Sequence, residues 1–369
     1  MDFQPSETIL TSPLLSKTTL PPEVLIDKIY GALIGHAMGD AIGLSTEFLN
    51  SKQASFHYGA GPISYDNFLK DPHRKRWRER DFTDDTDQMI LIMENLIQNH
   101  GEVNTTDLAA SLVRWSMEGF RELGDAGGMG IGATVRDVLK HPNYLSQPLQ
   151  TARSMWLTKG RNLAANGAVM RSSLLGIAHF YDLPKLEQQT IQVCGVTHAD
   201  LRCKASCVAL TVAIGLILQG KEDVEEIIDI AFKEADKCIS VENYKNLLTE
   251  EHKIELNEIQ QIVQAQKQEL KKHLYSDILD LQLDEGTSIG YTFKCVGSGF
   301  WALRRQNFKE AITHISLQAG DADTNGAVAG AILGCKLGFS RLPPEWMPFL
   351  HHHWFQHKII RFMDTIFKK

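Results

Sequence analysis

Two short acidic segments carry the clearest chemical signal in this chain. Thr83-Asp84-Asp85-Thr86-Asp87 stands immediately before an apolar stretch of helical spacing, and Asp321-Ala322-Asp323-Thr324-Asn325 stands before another one near the C-terminal end. Capping alone accounts for either cluster. Asp and Thr oxygens accept from the unpaired N–H groups at a helix N-terminus, and negative charge suits the helix dipole there. Capping needs one such residue per helix, however, and each segment offers several. If the two segments meet, Asp84, Asp85, Asp321 and Asp323 form an acidic centre that must be neutralised. With the hydroxyls of Thr83 and Thr324 they make a hard oxygen donor set suited to Mg²⁺, Mn²⁺ or Ca²⁺. Two ions sharing carboxylates would lie roughly 3.5–4 Å apart. Glu47, at the end of Gly39-Asp40-Ala41-Ile42-Gly43-Leu44-Ser45-Thr46-Glu47, is the candidate to ligate a metal or move a proton, whereas Asp40 reads as a structural residue of its helix.

What must bring these groups together is visible in the glycines. Gly31, Gly35, Gly39 and Gly43 recur every fourth residue, and so do Gly326, Gly330, Gly334 and Gly338. Residues four apart share one helix face. Glycine inside a helix costs about 0.5–1 kcal/mol relative to alanine, so two such stripes require compensation, and close backbone approach supplies it. The two helices are therefore expected to touch at the centre of the molecule, joining both ends of the chain into one domain. Apolar residues also recur at helical spacing over Leu25 to Ile42, Met89 to Ile97, Leu108 to Phe120, Leu186 to Val196 and Ala205 to Leu218, with no convincing alternation of strand type. The fold class read from this is all-α. The charged stretch Glu222 to His273 reads as amphipathic surface helices serving as scaffold.

At 369 residues and 43% hydrophobic content the chain can bury a large core. Its 38 Lys and Arg against 45 Asp and Glu give a formal charge of −7, which makes a nucleic-acid groove a secondary reading. Residues 1–22 are polar, lack the apolar run of a secretory signal and read as a flexible arm before a helical domain spanning 23–369. Ala205 to Leu218 is shorter than the roughly 20 residues of a membrane span and reads as a buried helix. Six cysteines without a Cys-x-x-Cys pair suit reduced thiols in the cytoplasm. His351, His352, His353 and His357 read as surface residues, and a monomer is the default state.

Three further segments are ambiguous in isolation. Gly124-Asp125-Ala126-Gly127-Gly128-Met129-Gly130-Ile131-Gly132 precedes a helical stretch and could present N–H groups to phosphates, but it is neither a P-loop nor a dinucleotide-binding turn. Asn166-Gly167-Ala168-Val169-Met170-Arg171 and Thr197-His198-Ala199-Asp200 have no assigned role on their own, and His198 alone is more often structural.

Taken together, these motifs resemble the ADP-ribosylglycohydrolase family, which includes the dinitrogenase reductase-activating glycohydrolases and the ADP-ribosylarginine and ADP-ribosylserine hydrolases. The resemblance runs from about Ile26 to Phe339 and rests on Gly31 to Glu47, Thr83 to Thr86, Asn166 to Arg171 and Gly320 to Asn325. It implies a compact single-domain orthogonal helical bundle with two Mg²⁺ or Mn²⁺ ions at the bottom of an ADP-ribose cleft. The implied metal ligands are Thr83, Asp84, Asp85, Asp321, Asp323 and Thr324, with Glu47 near the metals. The implied proton-transfer residue is Glu47 or Asp321, and Asp84 belongs to the catalytic set as a ligand. The loop carrying Asp125, Gly127, Gly128, Gly130, Ile131 and Gly132 is implied to approach the diphosphate, and Asn166, Gly167 and His198 to line the nucleotide-ribose side. One departure concerns the acceptor: the nitrogenase-regulating members carry an acidic residue just before the Ile-Gly of this loop, where this chain has Gly130, with Asp125 close by. The implied substrate is an ADP-ribosylated protein or small-molecule conjugate, with arginine favoured as acceptor. Serine, poly(ADP-ribose) and O-acetyl-ADP-ribose conjugates are alternatives, as is a non-catalytic ADP-ribose-binding or crystallin-like role. From the residues alone, a metal phosphoesterase is also open.

Overall fold

A computed structural model describes residues 7–368. Among these the regular elements are helices, and the one β-type feature is an isolated antiparallel bridge between Ala165 and Tyr291. The two glycine stripes pack against each other, as their spacing predicts. The Pro22–Gly43 and Ala322–Leu337 helices run antiparallel, with Gly31 against Gly334, Gly35 against Gly330, Gly39 against Gly326 and Gly43 against Ala322. A Cβ on Gly31, Gly35, Gly39 or Gly43 would lie 2.0–2.4 Å from the facing carbonyl oxygen, so here the backbones themselves are the packing surface. Both helices are buried around nearly their whole circumference. Thr292–Leu303 and Leu201–Leu218 pack around this pair, and Val328 fills the notch left by Gly299. The Leu201–Leu218 helix has the length and composition of a membrane span, yet 89% of it is buried inside the fold.

Antiparallel packing has a consequence for chemistry. The C-terminal end of the first glycine helix and the N-terminal end of the second meet at one end of the pair, which brings Asp40 and Glu47 to Asp321 and Asp323. The Asp84–Gln98 helix is delivered to the same point. The charged stretch folds as expected into Val224–Cys238, Val241–Leu247 and Leu256–Tyr275, with Ile227, Ile228, Ile259 and Val263 buried.

The expected flexible arm is corrected for the described part of it. Residues 7–20 pack onto the body because they carry apolar side chains and a partner for a helix end. Ile9 and Leu14 are buried, Thr18 Oγ1 donates to the Leu218 carbonyl at 2.6 Å, and Thr19 N donates to the Gln219 carbonyl at 3.1 Å. Residues 1–6 of that arm lie outside the described part.

Candidate metal centre and its cleft

The acidic centre is assembled by helix termini that cap one another. Asp40 is fully buried near the end of the first glycine helix. Its carboxylate accepts from Thr83 N at 3.0 Å, Thr86 N at 3.0 Å and Thr86 Oγ1 at 2.6 Å. Asp40 thus anchors the N-terminus of the Asp84 helix from another helix, the structural role expected of it. Thr83 is the N-cap of that helix, its hydroxyl accepting from Asp85 N at 3.4 Å. Thr83 Oγ1 and Thr324 Oγ1 each lie 3.3 Å from Asp85 Oδ2, one hydroxyl from each N-terminus. Asp321 occupies the N-cap position of the second glycine helix without making a side-chain cap, so its carboxylate is left for other use. Glu47, Asp321 and Asp323 each offer a carboxylate oxygen within 4.8 Å of the others.

These carboxyls are largely removed from water and close to one another. Burial first, and neighbouring negative charge second, hold Asp84, Asp85 and Asp323 well above the usual carboxylate range. Burial also raises Asp321, Glu47 and Asp40, the last to about 7. A buried charge must be paired, protonated or bound to a cation. Asp85 Oδ1 bears on this choice: it is buried and has no hydrogen-bond partner among the described residues, although the carboxyl's other oxygen sits between two hydroxyls. An orphaned carboxylate oxygen among hard donors fits a divalent cation, and the carboxylates that come within reach of one another here are Glu47, Asp321 and Asp323.

The centre lies between two cavities. Asp84 lines the first, of about 350 Å³, together with Trp77, Asp81, Asp87, Asp125 and His351. Gly290 belongs to the second, of about 600 Å³, and a Cβ there would lie 3.4 Å from Asp321 Oδ2. Burial raises Asp81 to about 7 and Asp87 well above the usual range, and Arg76 and Arg78 share the lining, so the wall of the first cavity mixes carboxyls held toward their neutral form with guanidinium groups.

The glycine loop does reach the centre. Gly128 N donates to the Trp115 carbonyl at 3.0 Å, fixing the loop on the Thr105–Glu118 helix, and Asp125 shapes it by accepting from Phe120 N at 3.0 Å. Gly130 has φ +88°, and a Cβ on it would stand 2.1 Å from Asp84 Oδ1. A larger residue here would be strained by the positive φ and would have to displace the Asp84 carboxylate. Ile131 is half-buried, and Gly132 precedes the Ala133–Leu139 helix with open space around it.

Asn166 joins the second cavity to the metal centre. Its Nδ2 donates to Asp321 Oδ2 at 2.8 Å, and its backbone N donates to the Gly290 carbonyl at 2.9 Å. A Cβ on Gly167 would lie 3.3 Å from the His198 ring. His198 itself does not line the cleft as expected. It is 1% exposed behind Gly167, its Nδ1 2.8 Å from Thr197 Oγ1, and burial lowers its pKa to about 3.

Several residues of the site had no individual role assigned from the sequence. Fully buried Arg171 donates from Nη1 to Gln88 Oε1 and from Nη2 to Thr197 Oγ1, both at 2.6 Å, and Gln88 Nε2 donates to Asp84 Oδ2 at 2.8 Å. Asp84 is therefore oriented by a chain that starts beside His198. Gln88 could have been found, since it lies one helical turn beyond Asp84. His73, 2.6 Å from Glu47, had no such signal. The scaffold reading of the charged stretch also stops short at Glu269 and His273, which line the second cavity, and His351 lines the first rather than facing away from the site.

Comparisons with known proteins agree on one family. The model of the family described as ADP-ribosylglycohydrolase matches residues 21–369. Two relatives named ADP-ribosylarginine hydrolase Tri1 are each 26% identical. That of Pseudomonas putida aligns over 92% of this chain and 78% of its own, and that of Serratia proteamaculans over 89% and 76%. The ADP-ribosyl-[dinitrogen reductase] glycohydrolase of Rhodospirillum rubrum is 22% identical over 87% of this chain and 89% of its own. Among solved structures, a chain of an ADP-ribosylglycohydrolase-related protein complex superposes with a TM-score of 0.61 at 20% identity. It covers 94% of this chain and 99% of that one, a likeness of fold.

Proposed function

The chain belongs to the ADP-ribosylglycohydrolase family of hydrolytic enzymes, and on that premise we propose that it is a binuclear-metal enzyme that releases ADP-ribose from modified arginine. The observation that carries the reading is the meeting of the two acidic helix N-termini around the orphaned Asp85 oxygen. Thr83, Asp84, Asp85, Asp321, Asp323 and Thr324 would hold two Mg²⁺ or Mn²⁺ ions. When bound, these supply positive charge that polarises oxygen groups laid against them.

The chain's own residues do the rest. Of the two candidates, Glu47 and Asp321, the proton from the attacking water is assigned to Glu47 as the anomeric carbon becomes oxocarbenium-like, a reading supported by its closeness to Asp321 and Asp323 and by the hydrogen bond that occupies Asp321. Asn166 fixes Asp321 by donating to one of its oxygens. The backbone of the Gly127–Gly132 loop faces the diphosphate, and the second cavity takes the nucleoside. Arginine is favoured as acceptor because the Tri1 relatives carry that activity in their names. The six cysteines, all free and buried, accord with a cytoplasmic enzyme.

Purified protein is expected to release free ADP-ribose from an ADP-ribosyl-arginine peptide in Mg²⁺ or Mn²⁺ and to stop in EDTA, read by mass spectrometry. Release from an ADP-ribosyl-serine peptide alone would replace the acceptor and keep the chemistry. Release of AMP or phosphate would overturn the glycosidic reading.

A further inference from the structure

The Asp71–Trp77 segment lies over the turn that ends in Glu47, and two adjacent residues on it grip that turn in different ways. Arg74, buried, donates from Nε to the Ser45 carbonyl at 2.6 Å and from Nη2 to the Glu47 carbonyl at 2.7 Å, and is itself held by Asp71. Arg74 thus fixes the backbone. His73 engages the side chain, with Nε2 2.6 Å from Glu47 Oε2. The imidazole has little freedom to turn away, because Phe48 and Trp77 contact it, each with its ring centroid 5.1 Å from that of the imidazole. Phe48 holds a positive φ of 59°, a strained conformation for a bulky residue, and its N–H donates to the Gly320 carbonyl at 2.7 Å. That bond ties the Glu47 turn to the residue next to Asp321.

We propose that His73 is the positioning residue of Glu47: its Nε2–H holds one carboxylate oxygen and aims the other at the acidic centre. This rests on the reading of Glu47 as the proton-transfer group. The physical need is specific. Glu47 shares a space under 5 Å across with Asp321 and Asp323, and like charge there favours a rotamer that swings it outward. A single donor on the far oxygen counters that tendency while leaving Glu47 Oε1, which makes no hydrogen bond among the described residues, for the proton. Arg74 cannot do this, since it reaches only carbonyl oxygens of the turn.

The test compares wild type, His73→Ala and His73→Gln at saturating Mn²⁺, using both ADP-ribosyl-arginine and ADP-ribosyl-serine peptides. Glutamine keeps an N–H donor of similar reach and guards against a simple folding defect. The expected result is a kcat reduced at least about tenfold in His73→Ala, the scale on which a misplaced reacting group loses rate, with KM within about twofold and most of kcat restored in His73→Gln. Unchanged kcat in His73→Ala would overturn the proposal, and so would equal losses in both variants. If wild type cleaves neither peptide, the functional reading fails instead, and the contact is judged by imidazole NMR. A slowly exchanging Nε2–H signal that vanishes in Glu47→Ala supports the positioning contact, and its absence from wild type overturns it.

Discussion

Asp84→Ala and Asp323→Ala are each expected to abolish turnover, by at least about a thousandfold or some 4 kcal/mol of transition-state stabilisation, while the far-ultraviolet circular dichroism stays that of the wild-type helical fold. The reasoning separates two functions that one carboxylate could serve. Were these residues only helix caps, removing one would cost about 1 kcal/mol of stability and leave any chemistry intact. The geometry points the other way. Asp84 makes no cap: it is oriented by Gln88, faces the first cavity and touches the glycine loop at Gly130. Among the described residues, Asp323 accepts only from the N–H of its own neighbour, Thr324, at 2.9 Å. Both are held above their usual pKa by burial and by the other acids around them. Taking one away in EDTA therefore relieves like-charge repulsion, and the variants should melt no lower than wild type in the absence of metal. In Mn²⁺ the order should reverse, because wild type gains the linked free energy of binding and the variants lose most of it. Lower melting in EDTA together with retained turnover would identify both residues as structural.

The second large effect concerns the glycine stripes. Gly39→Val is expected to prevent folding, and Gly35→Ala to lower the unfolding free energy, read as a lower denaturation midpoint, by about 3 kcal/mol or more, the upper range for overpacking a rigid contact. The obstacle at each site is backbone, which cannot rotate aside. A Cβ on Gly39 would stand 2.0 Å from the Gly326 carbonyl oxygen, and one on Gly35 2.4 Å from that of Gly330. Separating the helices to admit it would also pull the acidic centre apart, since Asp40, which anchors the Asp84 helix, follows Gly39 directly and Asp323 lies three residues before Gly326. Gly132→Ala is the matched control, for its Cβ would enter open space at an ordinary negative φ. An unaltered midpoint in Gly35→Ala would show that the two helices do not pack as described.

How much of this could be read in advance depended on whether a contact leaves a period in the sequence. Gly31 to Gly43 and Gly326 to Gly338 repeat every fourth residue, which is a statement about one helix face, and two such faces have few ways to be satisfied except by each other. The acidic segments were legible for a related reason: Asp84 and Asp323 exceed what capping requires. His73 left no trace, because it sits in an irregular segment between Lys70 and Arg80 where neighbouring basic residues hide one functional imidazole. Arg171 was visible as part of a motif, but its role depends on Gln88 and Thr197, which reach it from two other elements. His198 shows the opposite error. A histidine beside a threonine in a recognised motif suggested the cleft wall, whereas Gly167 opens a pocket that swallows the ring. The N-terminal segment was misjudged by composition, since two apolar side chains, Ile9 and Leu14, suffice to dock an otherwise polar stretch.

If the two acidic helix N-termini form one binuclear metal centre, crystals grown in Mn²⁺ will show it by anomalous scattering. Two peaks are expected roughly 3.5–4 Å apart, bounded by Asp84, Asp85, Asp321 and Asp323, with Asp85 Oδ1 directed at one of them. Manganese elsewhere on the protein and none among these four carboxylates would contradict it.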